Sequence, residues 1–127
     1  MLRLNNRQIG AVGVSRVTTA LLRNGYSVLI PSEDNGGYDL VAEKEGKFFR
    51  IQVKCSERRD PERNRYGFMT SRGSGTKNRY TKESCDYIIC WGMEDDLFWV
   101  FRPRDCPSKN KKCYAKTGSS WRIVSDL

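Results

Sequence analysis

The chain has 127 residues, room for one compact domain and little more. Its 38% hydrophobic content, with three Trp, six Tyr and five Phe, supports a single core. No run approaches the roughly 18–20 apolar residues of a membrane span. Lys and Arg total 23 against 15 Asp and Glu, a net charge of +8 that favours polyanion partners, because each neutralised phosphate releases condensed counterions. There is no histidine. That removes histidine-dependent triads, histidine-metal nucleases and any imidazole base. The N-terminus, Met1 to Asn6, lacks the apolar stretch of a signal peptide, so an intracellular, cytoplasmic protein is expected. In that compartment the five cysteines (Cys55, Cys85, Cys90, Cys106 and Cys113) are read as reduced, buried or partly buried thiols. They form no CxxC, and a zinc site would need four of them to converge from distant segments.

A helix is predicted from about Gln8 to Asn24. Val14, Val17, Leu21 and Leu22 form its apolar stripe, and Asn24-Gly25 its stop. Gly10 and Gly13 weaken the first turns and suggest a start nearer Ala11. Three extended segments follow. Tyr26 to Pro31 reads as a strand that Pro31 ends, and Ser32 to Gly37 as a turn. Tyr38 to Glu43 reads as the second strand and Lys44 to Lys47 as a tight hairpin connection. Lys47 to Cys55 is the third. Phe49, Ile51, Val53 and Cys55 share one face, while Phe48, Arg50, Gln52 and Lys54 share the other.

Residues 56–81 differ in kind, being rich in Arg, Lys, Gly, Ser and Asn and almost free of aliphatic side chains. A long basic loop is expected there. Cys85 to Trp91 and Leu97 to Arg102 then read as a strand pair joined by a hairpin at Gly92 to Asp96. The tail carries Lys109, Lys111 and Lys112 and a last apolar group, Trp121, Ile123 and Val124. No repeat or linker interrupts the chain, so one domain is expected over residues 1–127, with the basic loop at about 56–81.

Asp39 lies 13 residues before Gln52. If the two strands pair through the turn at Gly46, both residues lie at one end of the sheet. A carboxylate and an amide oxygen there are hard ligands suited to Mg²⁺. Lys54 projects from the same face as Gln52, placed to orient or help activate an attacking water. Alone, each residue has an ordinary explanation: Asp39 as a brace at a strand start, Gln52 and Lys54 as a solvated sheet face. The combination with the preceding helix and the basic surroundings is what points to a site.

The helix, Gly25-Tyr26, Tyr38-Asp39-Leu40-Val41 and Arg50-Ile51-Gln52-Val53-Lys54 together resemble the core of the PD-(D/E)XK nuclease superfamily. Within it the likeness is to group I intron homing endonucleases and archaeal Holliday-junction resolvases. The resemblance covers about residues 9–102, and its specific part is Asp39 to Lys54. It implies an α/β restriction-endonuclease-like core, with a mixed sheet of about four to five strands behind an N-terminal helix. It implies Asp39 as the central metal ligand, with Gln52 and the Val53 carbonyl completing the coordination and Lys54 beside the scissile phosphate. Mg²⁺, with Mn²⁺ as a substitute, is the implied cofactor, and metal-assisted phosphodiester hydrolysis the implied reaction. Glutamine in place of the usual second acid is a departure shared with the intron-endonuclease branch. A second departure is the glutamate that relatives carry on the first helix. Its place falls near Val14 or Ser15, and no acid precedes Glu33, which could substitute from the turn.

For DNA contact the candidates are Arg58, Arg59, Arg63, Arg65, Arg72, Lys77 and Arg79 in the basic loop. Hydroxyls and amides lie among them, and Gly67, Gly73 and Gly75 would allow close backbone approach to a sugar-phosphate track. Lys109, Lys111 and Lys112 either extend that track or solubilise the tail. Tyr80 and Asp86 resemble the family's link into the fourth strand and are read as structural. Trp91, Trp99 and Phe101 are read as core or oligomer surface. The leading expectation is a Mg²⁺-dependent endonuclease of homing type acting on double-stranded or branched DNA as a dimer or tetramer. A resolvase, or a fold that has lost catalysis and only binds DNA or protein, are the alternatives. An RNA-binding role is weaker, for want of an RRM or KH signature.

Overall fold

The computed structural model describes residues 3–72, 78–106, 109–120 and 127, with the backbone alone at 72, 78 and 79. Trp121, Ile123 and Val124 lie outside the described residues. Helix α1 spans Asn6–Arg23, earlier than the glycines suggested. Asn5 accepts from the Gln8 backbone N–H at 2.9 Å while the Gln8 side chain accepts from the Asn5 N–H, a reciprocal cap that offsets the weak first turns. The buried face is Gly13, Val17, Ala20 and Leu21, with Val14 packed at its margin. Leu22, expected on that face, is 56% exposed, because one residue rotates the helix by about 100°.

The strands in chain order are β1 (Ser27–Leu29), β2 (Leu40–Lys44), β3 (Lys47–Ser56), β4 (Arg65–Met69), β5 (Ser71–Arg72), β6 (Asn78–Arg79), β7 (Tyr87–Gly92), β8 (Leu97–Phe101) and β9 (Asn110–Tyr114). Five of them form the central sheet, in the order β1-β2-β3-β7-β8. Only the β3–β7 pair is parallel, so the sheet is mixed, as expected. Between β2 and β3 the central turn residues Glu45 and Gly46 have φ of 54° and 78°. Two positive φ values are what a two-residue type I′ hairpin requires, and this turn sets the register of the site.

The sheet is covered on both faces. On one side Val17, Ala20 and Leu21 of α1 pack with Leu40, Ala42, Ile51, Val53, Ile89, Trp91 and Phe98. On the other, β4 and β9 pair as an antiparallel ribbon whose Tyr66, Phe68 and Cys113 pack on Ile88, Cys90 and Trp99. The basic segment is therefore not the uninterrupted loop its composition suggested. Tyr66 and Phe68 are fully or almost fully buried while Arg65, Gly67 and Met69 face outward. The lysine-rich tail supplies the partner strand, also unforeseen. Four cysteines are buried and Cys55 is half-buried, all five as free thiols. Trp91 and Trp99 are core residues, and Phe101 is partly buried against the second cluster.

Candidate active site

The β2–β3 register decides which residues meet. Leu40 is paired with Ile51, and one rung further out Asp39 stands across from Gln52. Asp39 lies just before β2, yet its N–H donates to the Ile51 carbonyl at 2.8 Å, continuing the ladder. Its carboxylate Oδ2 in turn accepts the Val53 N–H at 2.8 Å. Gln52 and Lys54 are half-buried on the face opposite Ile51 and Val53. Asp39, Gln52 and Lys54 thus come together at one end of the β2–β3 pair.

The donor atoms have a definite arrangement. The Gln52 amide group lies 3.3 Å from the Val53 carbonyl. Rotating that amide by half a turn places Oε1 beside the same carbonyl, giving two neutral oxygens next to the Asp39 carboxylate. Asp39 Oδ1 carries no hydrogen bond among the described residues. Burial raises the Asp39 pKa above its ordinary value, against the lowering influence of the Val53 N–H and Lys54, and the Asp34 carboxylate adds to the rise. A desolvated carboxylate with a free oxygen and two neutral oxygen neighbours fits a hard divalent cation. No three acidic, cysteine or histidine side chains converge among the described residues. The donor set therefore rests on one carboxylate, an amide and a peptide carbonyl.

The acid that acts electrostatically on Asp39 from the preceding turn is Asp34. Glu33, the substitute considered from that turn, is exposed, as is Asp34, and adds nothing to the rise. The turn is built by short side chains. Asp34 Oδ1 accepts from Gly36 N–H, and Asn35 Oδ1 accepts from both Gly37 and Tyr38 N–H, at 2.8–2.9 Å. The composition of Ser32 to Gly37 foretold the turn but not which of its two acids acts on Asp39. On α1, Val14 packs on the core and Ser15 is exposed, so neither place holds an acid. Instead the helix approaches β3 through Gly13, and Cys55 Sγ donates to the Ile9 carbonyl at 3.1 Å.

Arg50, on the same face of β3, fastens the segment that leads into β7. Its guanidinium donates to the Lys82 and Glu83 carbonyls, each at 2.7 Å, and pairs with Asp86 at 3.2 Å. Asp86 also accepts the Arg50 N–H at 2.7 Å, in keeping with the structural reading of that residue.

Residues 4–120 match the family model described as PD-(D/E)XK endonuclease. The chain belongs to that family. A solved structure it is similar to is a bacterial homing endonuclease, I-Ssp6803I. The two share 20% identity with a TM-score of 0.75, over 98% of this chain and 94% of that one. That likeness is one of fold. No curated protein sequence matches the chain.

The basic residues of this PD-(D/E)XK chain sort into different environments. Arg58 is largely exposed, 3.7 Å from Glu57. Arg59 contacts both oxygens of Asp95 at 3.1 Å, and Asp95 accepts the Tyr66 hydroxyl at 2.6 Å. Burial, then the Asp95 contact, pushes the Tyr66 hydroxyl up to about 12. Arg59 is thereby drawn into the fold. Arg63 pairs with Asp60 in the same turn, and Arg65 donates to the Tyr114 hydroxyl across the β4–β9 ribbon. The side chains of Arg72 and Arg79 are not described, and Lys77 lies outside the described residues, with Gly73 and Gly75. Lys111 donates to the Asp105 carbonyl and lies over the Phe101 ring. Lys109 and Lys112 are exposed, Lys112 beside Gly67. Among the described residues no helix is long and apolar enough to cross a membrane.

Proposed function

We propose that this family member is a Mg²⁺-dependent DNA endonuclease of homing type that works as a homo-oligomer. The observation that carries the reading is the convergence of Asp39, Gln52, the Val53 carbonyl and Lys54 on one sheet end. Asp39 and the two neutral oxygens would hold the cation. When bound, it polarises the scissile phosphate and stabilises charge developing on the leaving oxygen. Lys54 contributes fixed positive charge beside the phosphate, where the developing negative charge is greatest. The Val53 N–H locks the Asp39 carboxylate against rotation, so its free oxygen points at a fixed place. The +8 net charge attracts the duplex, with Arg58 and the exposed lysines as solvent-facing contributors. One such site per chain cuts one strand, so duplex cleavage calls for at least two copies related by symmetry. Manganese would substitute for magnesium at these oxygen donors.

A second reading, a nuclease fold that binds DNA or protein without cutting it, is favoured by the absence of an acid on α1. A cleavage assay decides between them. Linear, supercoiled and four-way-junction DNA are incubated with Mg²⁺ or Mn²⁺ and the wild-type protein or Asp39→Ala. Cutting of linear duplex that disappears in the variant supports the homing-type reading, and preference for the junction replaces it with a resolvase. DNA binding that Asp39→Ala leaves intact, with no cutting under either metal, moves the assignment to the binding module.

A further inference from the structure

Lysine carries its charge on a flexible four-carbon stem, so an ammonium that must stand beside one phosphate oxygen needs something to hold it. In this fold Lys54 is held from two directions. Its Nζ donates to the Ser71 carbonyl at 3.2 Å and lies 5.0 Å from the centre of the Tyr80 ring. Ser71 opens β5, where it pairs with Arg79, and Tyr80 directly follows β6, so the two contacts come from the two strands at one end of a small ribbon. Tyr80 is 6% exposed and belongs to the second core cluster, with Cys85 and Ile88. It also forms part of the wall of a 640 Å³ cavity lined by Phe48, Lys82, Arg102 and Arg104. The ring that meets the ammonium is therefore anchored in the core.

We infer that Tyr80 is a positioning residue for Lys54, its ring face holding the ammonium at the site through a cation–π contact. The inference rests on the nuclease reading above. A buried aromatic face attracts a partly desolvated cation without donating or accepting a proton, so it localises the charge without taking up an ammonium hydrogen. The Ser71 carbonyl accepts one of the three ammonium hydrogens.

The test compares wild type, Tyr80→Phe, which keeps the ring, and Tyr80→Leu, which does not. The first measurement needs no cleavage. With ¹³C-labelled lysine, the Lys54 ε-methylene protons, assigned by their loss in Lys54→Arg, should resonate upfield of the exposed lysines because they lie over a ring. The shift should persist in Tyr80→Phe and vanish in Tyr80→Leu. The second measurement is steady-state cleavage. In Tyr80→Leu kcat should fall on the order of ten- to thirtyfold, with KM within about twofold, and Tyr80→Phe should restore it. An unshifted Lys54 resonance in wild type overturns the inference even if Tyr80→Leu does not fold. So does unchanged kcat in a folded Tyr80→Leu variant of a protein that cuts DNA and loses cutting in Asp39→Ala. Wild-type protein that cuts nothing overturns the nuclease reading itself and takes the positioning role with it.

Discussion

At Gly13 α1 lies close against the candidate site's strand. A Cβ there would stand 2.7 Å from the Cys55 Sγ and 3.0 Å from its Cβ. Neither atom is the end of a long side chain that can swing aside, because Cys55 is rooted on β3 next to Lys54. Gly13→Ala thus combines two opposed effects. Alanine favours the helix by about 1 kcal/mol, and overpacking costs about 1–3 kcal/mol. The expected balance is a loss of up to about 2 kcal/mol. Cys55→Ala removes the sulfur, and with it the 3.1 Å contact to the Ile9 carbonyl. In that background only the 3.0 Å carbon contact remains, and a shift of a few tenths of an ångström relieves it. There the same Gly13→Ala change should be neutral or stabilising by about 0.5 kcal/mol, the propensity term now dominating. The cycle of four proteins should therefore show a coupling of about 1–2 kcal/mol. Urea unfolding followed by circular dichroism measures it, and thermal melts should agree at about 3–5 °C per kcal/mol for a chain of this size. Additivity within about 0.5 kcal/mol would refute the reasoning and mean that α1 does not press on the strand carrying Gln52 and Lys54.

Two further outcomes follow from the electrostatics. Because burial raises the Asp39 pKa above 3.8, the folded state holds that proton more tightly than the unfolded one. Stability from this group therefore falls as pH rises from the unfolded value through the raised folded value, and the loss is complete above it. Asp39→Asn should accordingly raise Tm in metal-free buffer at about pH 7 and lose most of that advantage at about pH 3. Added Mg²⁺ should raise Tm of wild type but not of the variant; an Asn variant that melts below wild type at neutral pH would contradict the burial argument. The neighbouring arginines should separate cleanly: Arg58→Ala should lower the salt slope of DNA binding by about 1 with Tm unchanged. Arg59→Ala should instead cost about 1 kcal/mol of stability, because Asp95 loses its cationic partner and keeps only the Tyr66 hydroxyl, and equal effects of the two on Tm would refute that division.

The geometry of the candidate site was legible in the amino-acid sequence because its determinants are local. Alternation along Lys47–Ser56 assigned faces to Ile51, Gln52, Val53 and Lys54, and the Glu45-Gly46 turn fixed the register that sets Asp39 against Gln52. A two-residue hairpin leaves no freedom of register, so a spacing of 13 residues converts directly into proximity. Two alternating aromatics, Tyr66 and Phe68, were the signal for β4, but flanking charged and glycine residues masked it.

Other features depend on contacts between distant segments and only the tertiary structure decided them. The partner of β4 lies in the lysine-rich tail at Asn110–Tyr114, and pairing over that separation leaves no local mark. Arg58 and Arg59 are identical in composition and adjacent in sequence, yet one faces solvent and the other meets Asp95. Asp34 rather than Glu33 acts on Asp39 because hydrogen bonds within the turn orient it. Gly13, which lowered the expectation of helix, is the residue that lets the helix lie against Cys55. The sequence by itself determined the strand faces, the hairpin and the basic charge, which are properties of near neighbours. Which charges remain free, which aromatic ring meets Lys54 and what covers the second face of the sheet were decided by chain segments that meet only on folding.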